Sequence, residues 1–119
     1  MLDSLSFSHH PKLSESALIT LISRCTDLTR IVLSDCNIFD VLVDVLARHC
    51  KRLKHARFGN CPNLIESSLL MLLAHLRCLN YMAFRGCGIA ITDKEGLRSQ
   101  IRRHLVCRRL IISIDGVVQ

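Results

Sequence analysis

Aromatic residues are scarce in this chain, and tryptophan is absent. Phe and Tyr together make up 4% of the 119 residues, whereas half of all residues are apolar. The apolar content is therefore mostly aliphatic. Such a composition favours a fold of stacked units, in which each unit buries its apolar edge against its neighbours.

Long apolar runs and a secretory leader are also absent from the sequence. The longest nearly continuous apolar run, Leu69 to Leu76, is far shorter than the roughly 20 residues that a membrane-spanning helix needs. The chain does not open with a charged segment, an apolar stretch and a small-residue cleavage site. We therefore expect a protein without a membrane segment, located in the cytoplasm, with the nucleus as the alternative.

The familiar signatures of catalysis and metal binding are missing as well. There is no G-x-S-x-G turn, no H-E-x-x-H helix and no Gly-rich phosphate loop, because the five glycines are scattered along the chain. Neither C-x-x-C nor H-x-x-x-H occurs among the seven cysteines and six histidines. We expect no enzymatic activity, no catalytic residue, no metal site and no cofactor.

One pattern of eleven residues recurs along the chain. Residues 28–38 fit the leucine-rich-repeat template L-x-x-L-x-L-x-x-N/C-x-L at every fixed position, and residues 79–89 fit it again with Met and Phe in apolar positions. Looser copies occupy residues 2–10 and 53–64. The leading residues are spaced 26, 25 and 26 apart: Leu2, Leu28, Leu53 and Leu79.

The repeat predicts one strand and one helix in each unit. The apolar spacing predicts helices over residues 14–24, 39–49, 66–75 and 92–104, with Ser14 as an N-cap and a capping box between Thr92 and Glu95. After Leu105 the repeat pattern weakens, and a strand over residues 109–114 fits best. Inward-facing strand residues are expected in pairs: Ile31 and Leu33, Ala56 and Phe58, Met82 and Phe84.

We therefore expect a single α/β domain over residues 1–119. It would be a leucine-rich-repeat solenoid of about four to five repeats, a horseshoe segment with parallel strands on the concave face and helices on the convex face. Its units are expected at residues 2–27, 28–52, 53–78 and 79–104, followed by a terminal strand within 105–119.

The cysteines follow the repeat. Cys36, Cys61 and Cys87 share the position after the strand, and Cys25 and Cys50 share the position that opens the next unit. An odd number of cysteines at repeat positions favours buried, reduced thiols over disulfides. In the turn after the strand, a thiol can donate its weak hydrogen bond to a backbone carbonyl. Cys78 and Cys107 fall outside both positions.

Alternation along the strands assigns the other side chains to the concave face. Ser34, Gly59 and Ala83 are expected there, together with the candidate partner-binding residues: Arg30, Val32, His55, Arg57, Tyr81 and Arg85. Arg and Tyr are enriched at protein interfaces. With a net charge of +6, the expected partner is an acidic protein. The alternative is an unused polar face.

A second basic group lies near the C-terminus and consists of Arg98, Arg102, Arg103, Arg108 and Arg109. A solvated helix face is the favoured interpretation, and a nucleic-acid surface is the alternative. Tyr81 is the one aromatic residue nearby that could stack on a base, so nucleic acid is not the expected partner.

The repeat signatures resemble those of a known group of proteins. Cys25-Thr-Asp-Leu28, Cys50-Lys-Arg-Leu53 and Ile91-Thr92-Asp93 resemble the cysteine-containing leucine-rich repeats of F-box/LRR proteins, the substrate receptors of SCF ubiquitin ligases. The resemblance implies substrate recognition in ubiquitin-dependent protein degradation. No F-box precedes the repeats, so a fragment or short isoform is expected, with ligase subunits as partners only if an F-box is supplied elsewhere. The alternative is a stand-alone repeat adaptor, such as a mitochondrial assembly factor.

Overall fold

Strands and helices alternate along the chain. The computed structural model describes residues 3–8, 14–87, 89–92, 94–104, 111–114 and 117–118, with the backbone alone at 104, 117 and 118. The strands are β1 Ser4–Phe7, β2 Arg30–Ser34, β3 His55–Gly59, β4 Tyr81–Arg85, β5 Ile111–Ile114 and β6 Val117–Val118. The helices are α1 Glu15–Ser23, α2 Asp40–His49, α3 Glu66–His75 and α4 Lys94–His104. The predicted α/β class is confirmed.

The strands form one sheet in chain order. Strands β1 to β5 run parallel, and each pairs with the next, whereas β6 pairs antiparallel with β5. Arg30 lies beside His55, His55 beside Tyr81, and Tyr81 beside Ile111, which gives steps of 25, 26 and 30 residues. The first two steps equal the period in the sequence, and the last is four residues longer.

The core lies between the sheet and a row of helices in which each helix packs against the next. Leu33, Phe58 and Phe84 are adjacent in register, and none is more than 1% exposed. The rings of Phe58 and Phe84 stack at a centroid distance of 5.2 Å. The six strand residues expected to face inward are all buried, so that prediction is confirmed.

Strands β2, β3 and β4 are each followed by a left-handed residue and then a cysteine. Asp35, Asn60 and Gly86 have φ values of 55°, 53° and 67°, which glycine adopts freely and Asp and Asn tolerate better than other side chains. The next residue is a buried cysteine. The Cys61 thiol donates to the backbone carbonyl of Gly59 at 3.4 Å and to that of Leu33, in the previous strand, at 3.7 Å.

Three of the other four predicted repeat cysteines behave similarly. Cys87 donates to the carbonyls of Arg85 and Phe58, Cys36 donates to that of Ser34, and Cys50 donates to that of Cys25 at 3.5 Å. Burial, followed by the nearby Cys25, raises the pKa of Cys50 to about 11. The expected burial is confirmed at all five repeat cysteines, and the expected bond to a carbonyl is confirmed at the position after the strand. Cys78 is half-buried, and Cys107 lies outside the described residues.

A row of carboxylates joins the starts of successive helices. Glu15 accepts from the backbone N–H of Phe39 at 2.5 Å, and Asp40 accepts from the hydroxyls of Ser67 and Ser68. Glu66 accepts from the Thr92 backbone N–H at 2.7 Å and from its hydroxyl at 2.8 Å. We call Glu15, Asp40 and Glu66 the carboxylate row. Each member ties one unit to the next.

One predicted helix cap is present and one is replaced. Ser14 caps α1, accepting from the Ala17 backbone N–H at 3.2 Å. The predicted capping box between Thr92 and Glu95 is wrong, because Glu66 of the preceding helix takes both Thr92 donors and α4 begins at Lys94. Glu95 instead pairs with Arg98.

The end of the sheet differs in part from the prediction. The strand expected over residues 109–114 is found as Ile111–Ile114, with Ile112 and Ile114 buried, and residues 105–110 lie outside the described part. Strand β6 was not predicted. It places Val117 beside Ile114 and Val118 beside Ser113, and residues 115 and 116 lie outside the described part.

Candidate functional site

The outer sheet face, which points away from the helices, brings together all six predicted partner-binding residues. Arg30, His55 and Tyr81 form one row across the strands, Val32 and Arg57 form the next, and Ser34, Gly59 and Arg85 form the third. The three arginines are exposed, whereas Val32, His55 and Tyr81 are half-buried. This grouping follows from strand alternation combined with the in-register pairing.

His55 and Tyr81 form an aromatic platform on this face. Their rings stack at a centroid distance of 4.4 Å and an interplanar angle of 24°. Burial, and then the charges of Arg30 and Arg57, lower the pKa of His55 below its ordinary value of 6.5. The imidazole is therefore neutral at pH 7. The positive charge of the outer sheet face comes from its arginines.

These arginines have no acidic partner within the described residues. The ion pairs found there join Arg48 to Asp44 at 3.0 Å, Arg52 to Asp27 at 3.3 Å and Arg98 to Glu95 at 3.3 Å. All three pairs lie on helices or turns. The guanidinium groups of Arg30, Arg57 and Arg85 therefore remain available to an anionic group from another molecule.

A pocket of about 160 Å³ opens on the outer sheet face between Arg57 and Arg85. Three adjacent strands line it, with Ser34 from β2, Gly59 from β3 and Ala83 from β4. Gly59 has no side chain and Ala83 has a single methyl group. These small residues leave an empty space between the long side chains of Arg57 and Arg85.

The prediction that Ala83 is exposed to solvent is wrong, because the residue is 1% exposed. Its place in the register is on the outer face, beside Arg57 on one strand and Ser113 on the other. Because a methyl group is short, the longer neighbours and the backbone cover it.

Two further residues belong to the outer sheet face and were not predicted. Ile111 lies beside Tyr81 and is 40% exposed, and Ser113 lies beside Ala83. Their signal was present in the sequence, because placing Ile112 and Ile114 inward forces Ile111 and Ser113 outward. Ile111 adds an apolar contact next to the aromatic platform.

The second basic group lies in the helix layer. Arg98, Arg102 and Arg103 are exposed on α4, with Arg98 paired to Glu95, and Arg108 and Arg109 lie outside the described residues. The described part of this group therefore does not add to the outer sheet face.

A third surface was missed from the sequence. Phe39, Val41 and Ile65 are exposed by 45%, 58% and 52% at the starts of α2 and α3. Phe39 and Ile65 occupy equivalent positions, each immediately before its helix. Exposed apolar groups of this kind mark candidate contact surfaces.

Two other kinds of site were sought across the described ranges. No three His, Cys, Asp or Glu side chains among these residues are grouped closely enough to hold a metal ion. In the same part of the chain, no helix combines the length and apolarity needed to cross a bilayer.

Comparison with known proteins gives a likeness of fold. No family model matches this chain, and no curated protein matches it. The chain is similar to one in a solved structure described as "Structure of Chaetomium Mex67:Mtr2 subunits", with a TM-score of 0.58 and 19% sequence identity. The alignment covers 98% of this chain and 81% of that one. At this identity the likeness concerns the fold alone.

Proposed function

We propose that this protein is a leucine-rich-repeat solenoid that recognises another protein through its outer sheet face. The in-order parallel sheet, the steps of 25 and 26 residues and the repeated buried thiols support this identification. Neighbouring strands in a sheet are about 4.8 Å apart, whereas the axes of neighbouring packed helices are about 8–10 Å apart. Stacking such units bends the structure, so the strands lie on the concave side and the helices on the convex side.

The partner is an acidic protein segment. The observation that carries this proposal is the set of three exposed arginines without an ion pair among the described residues, grouped around a stacked His55–Tyr81 pair. An extended acidic segment would lie across the strands. Its carboxylates would contact guanidinium groups, and its apolar side chains would contact the aromatic platform. Recognition would be non-covalent.

The cellular role we propose is substrate recognition for SCF-type ubiquitin-dependent protein degradation. The support is the resemblance of the repeat signatures to F-box/LRR proteins. An F-box encoded in the same transcript would add to that support. The rival role is that of a stand-alone repeat adaptor or mitochondrial assembly factor, which would use the same outer sheet face without ligase subunits.

The test is affinity capture from cells with matched charge reversals. Arg57→Glu reverses one charge on the outer sheet face, and Arg102→Glu makes the same change on α4. We expect the recognised protein to be lost from the Arg57 variant and kept by the Arg102 variant. Adaptor and cullin subunits are expected with it only where an F-box is supplied elsewhere. Because both side chains are exposed, neither change should unfold the chain, and circular dichroism checks this.

The other outcomes identify the rivals. Unchanged partners in the Arg57 variant would refute recognition through the outer sheet face. Capture without adaptor or cullin subunits would favour the stand-alone adaptor. A nucleic-acid function would instead show affinity that falls steeply with salt and is lost in the Arg102 variant.

A further inference from the structure

The Arg57–Arg85 pocket contains a glycine that its backbone does not require. Gly59 is the last residue of β3 and lacks the left-handed φ of Gly86. A Cβ built at Gly59 would be 3.5 Å from the Ser34 Oγ, an ordinary contact. Glycine has no side chain to pack and a larger entropy loss on folding than alanine. What glycine does provide here is space, because any side chain at position 59 would project into the pocket.

The two arginines flank this space at a distance that suits convergence on one anion. Arg57 is beside Ala83, and Arg85 is two residues further along β4 on the same face. With strands about 4.8 Å apart and residue pairs about 6.7 Å apart along a strand, their Cα atoms are roughly 8 Å apart. Both long side chains can therefore bend over the pocket. Without an anion between them, two like charges this close repel each other.

The pocket presents donors and few acceptors. Two guanidinium groups offer planar pairs of N–H donors, and the Ser34 hydroxyl adds another donor at the pocket wall. A carboxylate carries one negative charge, so it neutralises one of the two guanidinium groups. A phosphate monoester has three terminal oxygens and nearly two charges, so both guanidinium groups and the hydroxyl can bind it together.

The size of the pocket is compatible with a small anionic group. Its volume is about 160 Å³, and it opens to solvent on the outer sheet face. Asp35, one residue beyond Ser34, is exposed, and its backbone N–H donates to the carbonyl of the pocket residue Gly59 at 2.7 Å. Its negative charge weakens anion binding and gives the test a control of opposite sign.

We propose that the pocket between Arg57 and Arg85 binds a phosphorylated side chain of an acidic protein partner. This proposal rests on the proposed function and deepens it. The outer sheet face would bind the segment, and the pocket would make the binding depend on phosphorylation. His55 and Tyr81, one row away, would contact the residues beside the phosphorylated one.

The probes are three acidic peptide mixtures that differ at one central position. That position is phosphoserine, serine or glutamate, and the flanking positions are degenerate acidic and apolar residues. Binding is measured by fluorescence anisotropy, and NMR follows the Nε–H signals of the arginines. We expect the phosphoserine mixture to bind roughly ten- to a hundredfold more tightly than the serine mixture, the range for hydrogen bonds to charged groups. The Nε–H signals of Arg57 and Arg85 should shift.

Three variants isolate the pocket. Gly59→Val fills it while keeping both arginines, and it should remove the preference for phosphoserine over serine. Valine suits a strand, and circular dichroism verifies folding. Arg85→Gln should reduce the preference as well. Asp35→Asn should increase affinity for the phosphoserine mixture.

Three other results would overturn the proposal that the pocket binds a phosphorylated side chain. If the phosphoserine and serine mixtures bind equally, the pocket proposal is overturned and acidic recognition by the outer sheet face still holds. If no mixture binds and the Arg57→Glu variant also keeps its cellular partners, both proposals fail together. If inorganic phosphate shifts the two arginine signals but the phosphopeptide does not compete with it, the pocket binds a free anion, and the proposed phosphorylated partner is wrong.

Discussion

Replacing Gly86 with alanine should destabilise the fold, because the backbone there has φ of +67°. Left-handed backbone disfavours an alanine by roughly 1–2 kcal/mol. In addition, the new Cβ would lie 2.2 Å from Oδ1 of Asn60, so that exposed side chain has to move. The lower entropy of the unfolded alanine variant offsets roughly 0.4–1 kcal/mol. We expect a net loss of roughly 1–2 kcal/mol.

Urea unfolding followed by circular dichroism measures this loss. For a domain of this size, each kcal/mol lost lowers the melting temperature by roughly 3–6 °C, so we expect a fall of roughly 3–12 °C. Gly59→Ala is the matched control, because it adds the same methyl group to a strand position with ordinary φ and a contact of 3.5 Å. The control should be neutral or gain up to about 1 kcal/mol.

A third variant separates backbone strain from loss of flexibility. Gly86→Asn should lose less stability than Gly86→Ala, because Asn tolerates the left-handed region and already occupies it at Asn60. If Gly86→Ala and Gly59→Ala had the same unfolding midpoint, the argument from φ would be refuted.

Three further predictions concern the core, the carboxylate row and pH. Leu33→Ala should lower the free energy of unfolding by roughly 2–5 kcal/mol, because the side chain is fully buried. A loss below about 1 kcal/mol, measured by urea titration, would contradict the place of Leu33 in the core. Glu66→Gln should lower the free energy of unfolding by roughly 0.5–1.5 kcal/mol, because it weakens the two hydrogen bonds from Thr92. Glu95→Gln, which breaks an exposed ion pair, should change the free energy of unfolding little. Equal losses in the two variants would contradict a stabilising role for the carboxylate row. Burial and two arginines lower the pKa of His55 in the folded state, so the unfolded state binds a proton first as the pH falls. The free energy of unfolding should therefore decrease as the pH drops below about 6.5. His55→Gln should make that decrease smaller, and identical pH profiles for the two proteins would refute this role of His55.

The regular part of the fold was predictable because it depends on local alternation. In β3, Ala56 and Phe58 face inward while His55 and Arg57 face outward, as the apolar pattern requires. The same reasoning located the helices to within two residues at each end. It also grouped Arg30, His55 and Tyr81 correctly, because a constant period places equivalent residues side by side.

What the sequence did not reveal depends on contacts between units. Thr92 has capping-box spacing to Glu95, but Glu66, 26 residues earlier, competes for both of its donors. No local pattern shows that competition. Strand β6 was missed because two valines are too short a segment to predict a strand.

The pocket could not be predicted for a similar reason. It exists because Gly59 and Ala83, which lie in adjacent rows of the register, are both small while Arg57 and Arg85 beside them are long. Each residue alone is unremarkable in the sequence. The cavity appears only when two strands 26 residues apart are set side by side.

The buried thiols supply native reporters of partial opening. Cys50, which follows α2, and Cys61, which follows β3, are 0% exposed, whereas Cys25 and Cys36, nearer to β1 along the chain, are each 9% exposed. A thiol reagent can modify these groups only when the unit around them comes apart. The order in which the cysteines are labelled, read by mass spectrometry, would therefore show from which end the units fray, without any introduced probe.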